Sequence, residues 1–215
     1  MFNSYAAPAS AHDYVLGEVR AADRDRFLAS LFAPEPQRRC LLGLLAFDHE
    51  LARTRSVTRE PMLARIRLEW WREAVVEAAG EGNPRAQPIV EALSEAIRRH
   101  RLPAQGFFDL IDAREEEIEG PLDVVHAGHA LADLQLGVLD VTEEATRDAA
   151  RAVGAAWLMG EGPEREELLA EARSQQPRID ARALPILLPA RLLDRGWAPW
   201  QKPLVLWWAA RRGRY

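Results

Sequence analysis

The chain has 215 residues, 48% of them apolar and 28% charged, and a net charge of −5. That composition excludes wholesale disorder, and the mildly acidic balance excludes the electrostatic footprint of a general nucleic-acid binder. A chain of this length buries roughly 70% of its unfolded surface, so one domain can build a full core without a metal or disulfide staple. Lys202 is the only lysine among 28 basic residues, a bias read as genomic base composition. The lone Cys40 cannot form an internal disulfide, and in Arg39-Cys40-Leu41-Leu42 it reads as a small buried hydrophobe in a reducing compartment. No secretory signal opens the chain, and the apolar run Leu204–Ala210 falls well short of the about 20 residues that span a bilayer. The expectation is a soluble, cytoplasmic protein.

Strand signals are scarce, and helical ones fill the chain. Residues 1–11 read as a flexible arm, followed by a single helical domain over 12–215. Asp13 is a candidate N-cap for a first helix reaching Phe32, which Pro34 and Pro36 stop. A Leu-rich second helix covers about Gln37–Arg53. A third follows Thr58 as N-cap, with Pro61 in its first turn. On it Met62, Ile66, Trp70, Ala74 and Ala78 repeat every four residues, an apolar stripe that predicts a core-facing side. Gly80–Pro84 breaks the chain before a fourth helix, Arg85–Arg99, with Ile89, Val90, Leu93 and Ile97 inward. A fifth starts at Leu102-Pro103 and closes at Gly120-Pro121; a sixth covers Leu122–Leu139 and a seventh Thr142–Met159. After Gly160–Pro163 come shorter helices near Glu164–Ser174, Ala181–Leu193 and Trp200–Arg211. The predicted class is all-α: one domain of about eight to ten helices.

Several blocks stand in a distinctive order: Asp23-Arg24-Asp25-Arg26-Phe27-Leu28 through Pro34, Arg38, Leu45-Ala46-Phe47, Ser56 to Pro61, Ile66-Arg67-Leu68-Glu69-Trp70-Trp71-Arg72, and His100-Arg101-Leu102-Pro103 with Phe108, Leu110 and Ile111-Asp112. Together they resemble the squalene/phytoene synthase family of head-to-head isoprenyl diphosphate synthases. Within it they are most similar to the divergent subgroup that includes the mitochondrial complex I assembly factor. The resemblance is good over about residues 13–139 and weak after Gly154. It implies an isoprenoid-synthase-like helical bundle around a central cavity. In active members it also implies two acidic motifs that hold Mg²⁺ against a diphosphate, because hard cations take several carboxylate oxygens.

Neither motif matches. After Ala46-Phe47 the paired-aspartate positions fall on Ala52 and Arg53, and Asp48 and Glu50 are two apart on a helix, pointing away from one another. The second motif falls on Gly154–Gly160, which has no Asn or Asp. The resemblance without the motifs implies a non-catalytic or divergent member. It would be a scaffold or assembly factor for respiratory complex I, with complex I subunits or assembly intermediates as partners and no cofactor, peripheral at the inner membrane. Two alternatives stay open. One is a Mg-dependent prenyltransferase with Asp48, Glu50, Asp112 and Glu116 as residual metal ligands. The other is an isoprenoid-binding protein without turnover, with His49, Arg53, Arg55, Arg67 and Trp71 lining a cavity or anion site.

Other clusters have plainer readings. Asp112, Glu115, Glu116 and Glu119 share one helix face, expected to be solvated and paired with Arg114 and Arg101. His126, His129 and Asp133 have metal-compatible spacing but follow a Gly-Pro turn, and are expected to be ordinary surface or capping residues. Trp70 is expected in the core and Trp71 either in the core or at a cavity wall. Trp207, Trp208, Arg211 and Arg212 form a candidate interface, to membrane or protein, against the alternative that the last helix packs its tryptophans inward. Glycine-rich phosphate loops and the zinc-protease and serine-hydrolase signatures are absent from the sequence.

Overall fold

Ser10 caps the first helix of a chain that the computed structural model describes over residues 10–57, 60–194 and 196–215. Its hydroxyl accepts from Asp13 N at 3.2 Å and donates to the Asp13 carboxylate at 2.8 Å, a reciprocal cap. Asp13, expected as the cap, therefore sits inside the first turn. Ala11, assigned to the arm, is already helical. The rest of the expected arm, residues 1–9, lies outside the described residues, as does the Thr58 cap.

The described residues form twelve α-helices and no strand. The number exceeds the expected eight to ten because two predicted helices are cut. Asp23 leaves helical geometry at φ −142° and caps a new helix by accepting from Arg26 N at 2.8 Å. This divides α1 (Ala11–Ala22) from α2 (Arg24–Ser30). Near the C-terminus, Pro185 and Pro189 each open a separate short helix, because proline has no N–H to continue the previous one. The result is a 3₁₀ turn at Ala181–Ala183, then α10 (Leu184–Leu187) and α11 (Ala190–Leu193).

Between these ends run α3 (Glu35–Val57), α4 (Pro61–Ala79), α5 (Pro88–His100), α6 (Ala104–Glu116), α7 (Val124–Leu139), α8 (Glu144–Leu158) and α9 (Pro163–Ser174), with α12 (Lys202–Arg211) last. Pro61 is the first residue of α4, after Glu60. Every residue from Cys40 to Asp48 on α3 is buried, so this helix is covered on all sides and forms the axis of the bundle. α1, α5 and α7 pack around it, and α7 in turn lies between α6 and α8. Phe47 stands T-shaped to Trp71 at 5.4 Å and tilted to Phe107 at 5.8 Å, locking α3 to α4 and α6.

α4 turns a different face inward from the one predicted. Ala64, Leu68, Trp71, Val75 and Ala78 are buried together with Ala74, whereas Met62, Ile66 and Trp70 are exposed, Met62 to 67%. The helix carries apolar residues on two faces, and α5 and α6 cover only one of them.

α7 and α8 touch backbone to backbone. A Cβ added to Gly128 would meet Ala155 N at 2.4 Å, and one on Gly154 would meet the Gly128 carbonyl at 2.6 Å. Small residues here let two helices approach with no side chain between them.

Candidate functional site

The candidate site is the C-terminal half of α3, where the chain passes from the apolar core into charged residues. Asp48 follows directly on the buried run and is 2% exposed. A carboxylate in that position must be paired or it will not stay ionised. Arg26 of α2 donates to one of its oxygens at 3.2 Å and Arg114 of α6 to the other at 3.2 Å. Both guanidiniums have second carboxylates, Asp23 for Arg26 and Glu117, at 3.0 Å, for Arg114. Burial opposes ionisation of Asp48, but the charges of Arg26 and Arg114 outweigh it and hold the carboxyl below its ordinary range. Burial likewise opposes ionisation of Asp23, and its hydrogen bond with His49 and the charge of Arg26 reverse the direction.

His49 packs its Nε2 at 3.1 Å from Arg26 and 3.7 Å from Asp23, and so belongs to this buried network. Trp157, at the end of α8, lies under the same guanidinium at 5.6 Å. The enclosed spaces beside Arg26 are small. One, against Leu41, Leu45 and Gln135, is about 30 Å³. The other, against Gly128, Gly154 and Trp157, is about 20 Å³. Each is water-sized.

The remaining sequence candidates are spread over separate ion pairs. Glu50 is held by Arg53 at 2.6 Å and Arg67 at 2.7 Å. Arg53 also approaches Glu18 of α1 at 3.9 Å. Arg55 is exposed and donates to the Glu117 carbonyl. Asp112 is bound by Arg72, which also reaches Glu115 at 2.7 Å, and Glu116 is exposed. The acidic face of α6 and the turn after it is paired with α4, through Arg72 to Asp112 and Glu115 and through Arg65 to Glu119; among the described residues these acids form no ion pair with the expected Arg101 and Arg114. Asp48, Glu50, Asp112 and Glu116 do not form a shared carboxylate cluster. Among the described residues no three His, Cys, Asp or Glu side chains are grouped to hold a metal ion. Asp133, from the histidine-containing trio, is taken by Arg151 at 3.0 and 2.6 Å.

Arg67 and Trp71 do meet, at an outward-opening groove of about 600 Å³ between α3 and α4. Glu50, Val57, Leu63, Ile66, Trp70 and Gln87 complete its lining. Trp71 belongs to both the core and the groove: it is only 2% exposed, yet it is one of the residues that line the groove. Trp70 lies against Trp71 at 4.9 Å and under Arg85 at 4.5 Å. At the other end of the molecule Trp207 and Trp208 are exposed, with Arg211 and Arg212 over their rings.

Sequence reasoning missed Asp23 and Arg26 as parts of this network. The i, i+3 spacing of Asp23 and Arg26 signals their own pair, but no local signal connects them to Asp48.

The family model described as squalene/phytoene synthase matches residues 19–159. Among curated proteins the chain is similar to "NADH dehydrogenase (ubiquinone) complex I, assembly factor 6" of Rattus norvegicus, 32% identical over 108 residues, or 50% of this chain and 32% of that protein. It is also similar to that factor of Homo sapiens, 29% identical over 106 residues (49% and 32%), and to its Dictyostelium discoideum homolog, 24% identical over 140 residues (59% and 39%). The chain thus spans about a third of the length of the curated relatives it matches. Among solved structures it resembles squalene synthase HpnC from Alicyclobacillus acidocaldarius, with a TM-score of 0.66 at 16% identity, covering 94% of both chains. The likeness of fold therefore continues past residue 159, where the sequence resemblance fades.

Proposed function

The chain belongs to the squalene/phytoene synthase family, and we propose that it is a member without prenyl transfer that serves in the assembly of respiratory complex I, working at the cytoplasmic side of the inner membrane. The observation that carries this reading is the double-arginine seat of Asp48. A magnesium ion bound to a diphosphate needs several free carboxylate oxygens facing one space. Here both Asp48 oxygens are occupied by guanidinium groups, both Glu50 oxygens by others, and one Asp112 oxygen by Arg72. Mg²⁺ does not fit that donor set, and no cofactor is assigned. The backbone contact of Gly128 with Gly154 and Ala155 adds that no ligand space lies between those turns of α7 and α8. The complex I role is supported by relatives that bear that name.

Affinity purification of the full chain from the native membrane fraction tests the reading. Recovery of complex I subunits, and loss of assembled complex I on native gels when the protein is deleted, are expected. Formation of squalene or phytoene from farnesyl or geranylgeranyl diphosphate by the pure protein with Mg²⁺ overturns it.

A second reading rests on the groove between α3 and α4. Its apolar walls and Arg67 suit an isoprenoid with an anionic head, bound without turnover. Thermal stabilisation by farnesyl diphosphate without Mg²⁺ supports this reading. Stabilisation that requires Mg²⁺ supports a transferase instead.

A further inference from the structure

We propose that the outer face of α12 is a membrane-docking element that seats the protein on bilayers containing anionic phospholipid. The last 21 residues, from Arg195 to Tyr215, contain five basic residues and no acidic one, in a chain of net charge −5; Lys202 is taken by Asp25 of α2, and the other four are arginines. Within this stretch α12 turns Leu206 and Ala209 inward, onto Ala29, Leu188 and Leu192. The opposite side carries Leu204, Trp207, 55% exposed, and Trp208, and Trp200, 72% exposed, stands in the turn just before the helix. Positions 204, 207, 208 and 211 follow the helical repeat, so Leu204, Trp207, Trp208 and Arg211 share one face.

The chemistry of that face identifies its occupant. Arg212 lies 3.6 Å over the Trp208 ring and Arg211 lies 5.8 Å from that of Trp207, so indole and guanidinium stand at the same depth. Indoles settle at the headgroup layer of a bilayer, and guanidiniums beside them bind lipid phosphates in bidentate fashion while staying hydrated. A protein partner closing over the same face would have to desolvate these arginines and supply carboxylates to them. A second copy of this chain would bring its own arginines against them, since the face holds no acid of its own. Beside the face a groove of about 630 Å³ opens between Arg191, Trp197, Leu204, Val205 and Trp208, and offers apolar walls to a lipid tail. The acid in its lining, Asp194, is bound by Arg173 and Arg191 and adds little repulsion toward lipid phosphate. No helix of the described residues is long and apolar enough to cross a membrane, and α12, at 10 residues, can lie only in the plane of the interface.

The proposal rests on this face alone and not on the complex I reading. Full-length protein is sedimented with vesicles of phosphatidylcholine, and with vesicles of phosphatidylcholine mixed with phosphatidylglycerol. Binding is expected to the mixed vesicles and to weaken as salt rises. The double variant Trp200→Ala/Trp207→Ala should lose at least roughly tenfold in partitioning. Arg211→Gln/Arg212→Gln should lose roughly fivefold per arginine on mixed vesicles and change little on neutral ones. All these side chains are solvent-facing, so thermal melting of each variant should match the parent and confirm that it folds. Parent protein that sediments with neither vesicle, or variants that bind as the parent does, overturns the proposal. So does a dimer in light scattering that the tryptophan variant abolishes, because the face would then be a contact between copies.

Discussion

Replacing Asp48 by alanine separates a structural carboxylate from a metal ligand by the sign of its effect. A ligand in a group of carboxylates repels its neighbours while no ion is bound, so its removal stabilises the metal-free protein. Asp48 instead neutralises two guanidiniums whose side chains are only 12% and 7% exposed. Breaking a buried pair from one side costs about 3–5 kcal/mol. Arg26 keeps Asp23 and Arg114 keeps Glu117, so the lower end applies, about 3 kcal/mol. For a domain of this size that is a fall in melting temperature of about 6–12 °C. Urea denaturation at neutral pH without divalent ions measures it. The double variant Asp48→Leu/Arg114→Met removes both charges of one pair and should recover part of the loss, since apolar replacement of a buried pair is often close to neutral while Arg26 keeps only Asp23 and Glu117 loses Arg114. A loss below about 1 kcal/mol for Asp48→Ala, or any gain in stability, would refute the reasoning.

Three further outcomes follow from the same packing. Both Asp23 and Asp48 have folded-state pKa values below their unfolded ones. Their contribution is therefore fully present above the unfolded value near 4 and is lost as pH falls below it; urea midpoints taken downward from neutral pH should decline there, and decline less steeply in Asp48→Ala. Gly128→Ala places a methyl group against the α8 backbone and should cost about 3 kcal/mol or more, whereas Gly17→Ala, with nothing within 4 Å on an exposed helix face, should stabilise by about 0.5–1 kcal/mol; chemical denaturation of the two variants checks the contrast. Cys40 is 1% exposed, and burial pushes its thiol up to about 11, so a thiol reagent should leave the native protein unmodified at neutral pH and react on unfolding.

The sequence reveals these elements unevenly, for physical reasons. Helices bounded by proline or glycine are legible, as with α5, whose inward residues Ile89, Val90, Leu93 and Ile97 are those its spacing predicts. The inward face of α4 is not, because Met62, Ile66 and Trp70 form as regular a stripe as Leu68, Trp71 and Val75. Only the neighbours that cover a face decide between such stripes. The break at Asp23 was hidden because helix-forming residues stand on both sides of a cap that acts through one carboxylate. In the candidate site, the sequence shows that Ala52 and Arg53 stand where the family resemblance implies paired aspartates. The network around Asp48 is not legible there, since Arg26 and Arg114 lie 22 and 66 residues from Asp48 in the chain. Local periodicity reports which residues share a face; it does not report which distant charge arrives there.

The arginine network explains why this framework can keep buried carboxylates without a metal. A diffusible ion offsets carboxylate repulsion only while it is bound, and the site stays open so that substrate can enter and leave. Guanidiniums attached to α2 and α6 offset it permanently, and each extra pair ties another helix to α3: Asp48 joins α3 to α2 and α6, and Glu50 joins it to α4. An open site needs unsatisfied ligands and space, whereas both carboxylate oxygens of Asp48 are engaged and the two gaps described beside Arg26 are water-sized. On the outside of the bundle α4 exposes Trp70, and α12 exposes Trp207 and Trp208. Under the proposed contact-based function, a fixed core carrying those faces is what the protein requires, and the charge pattern inside the bundle is suited to it.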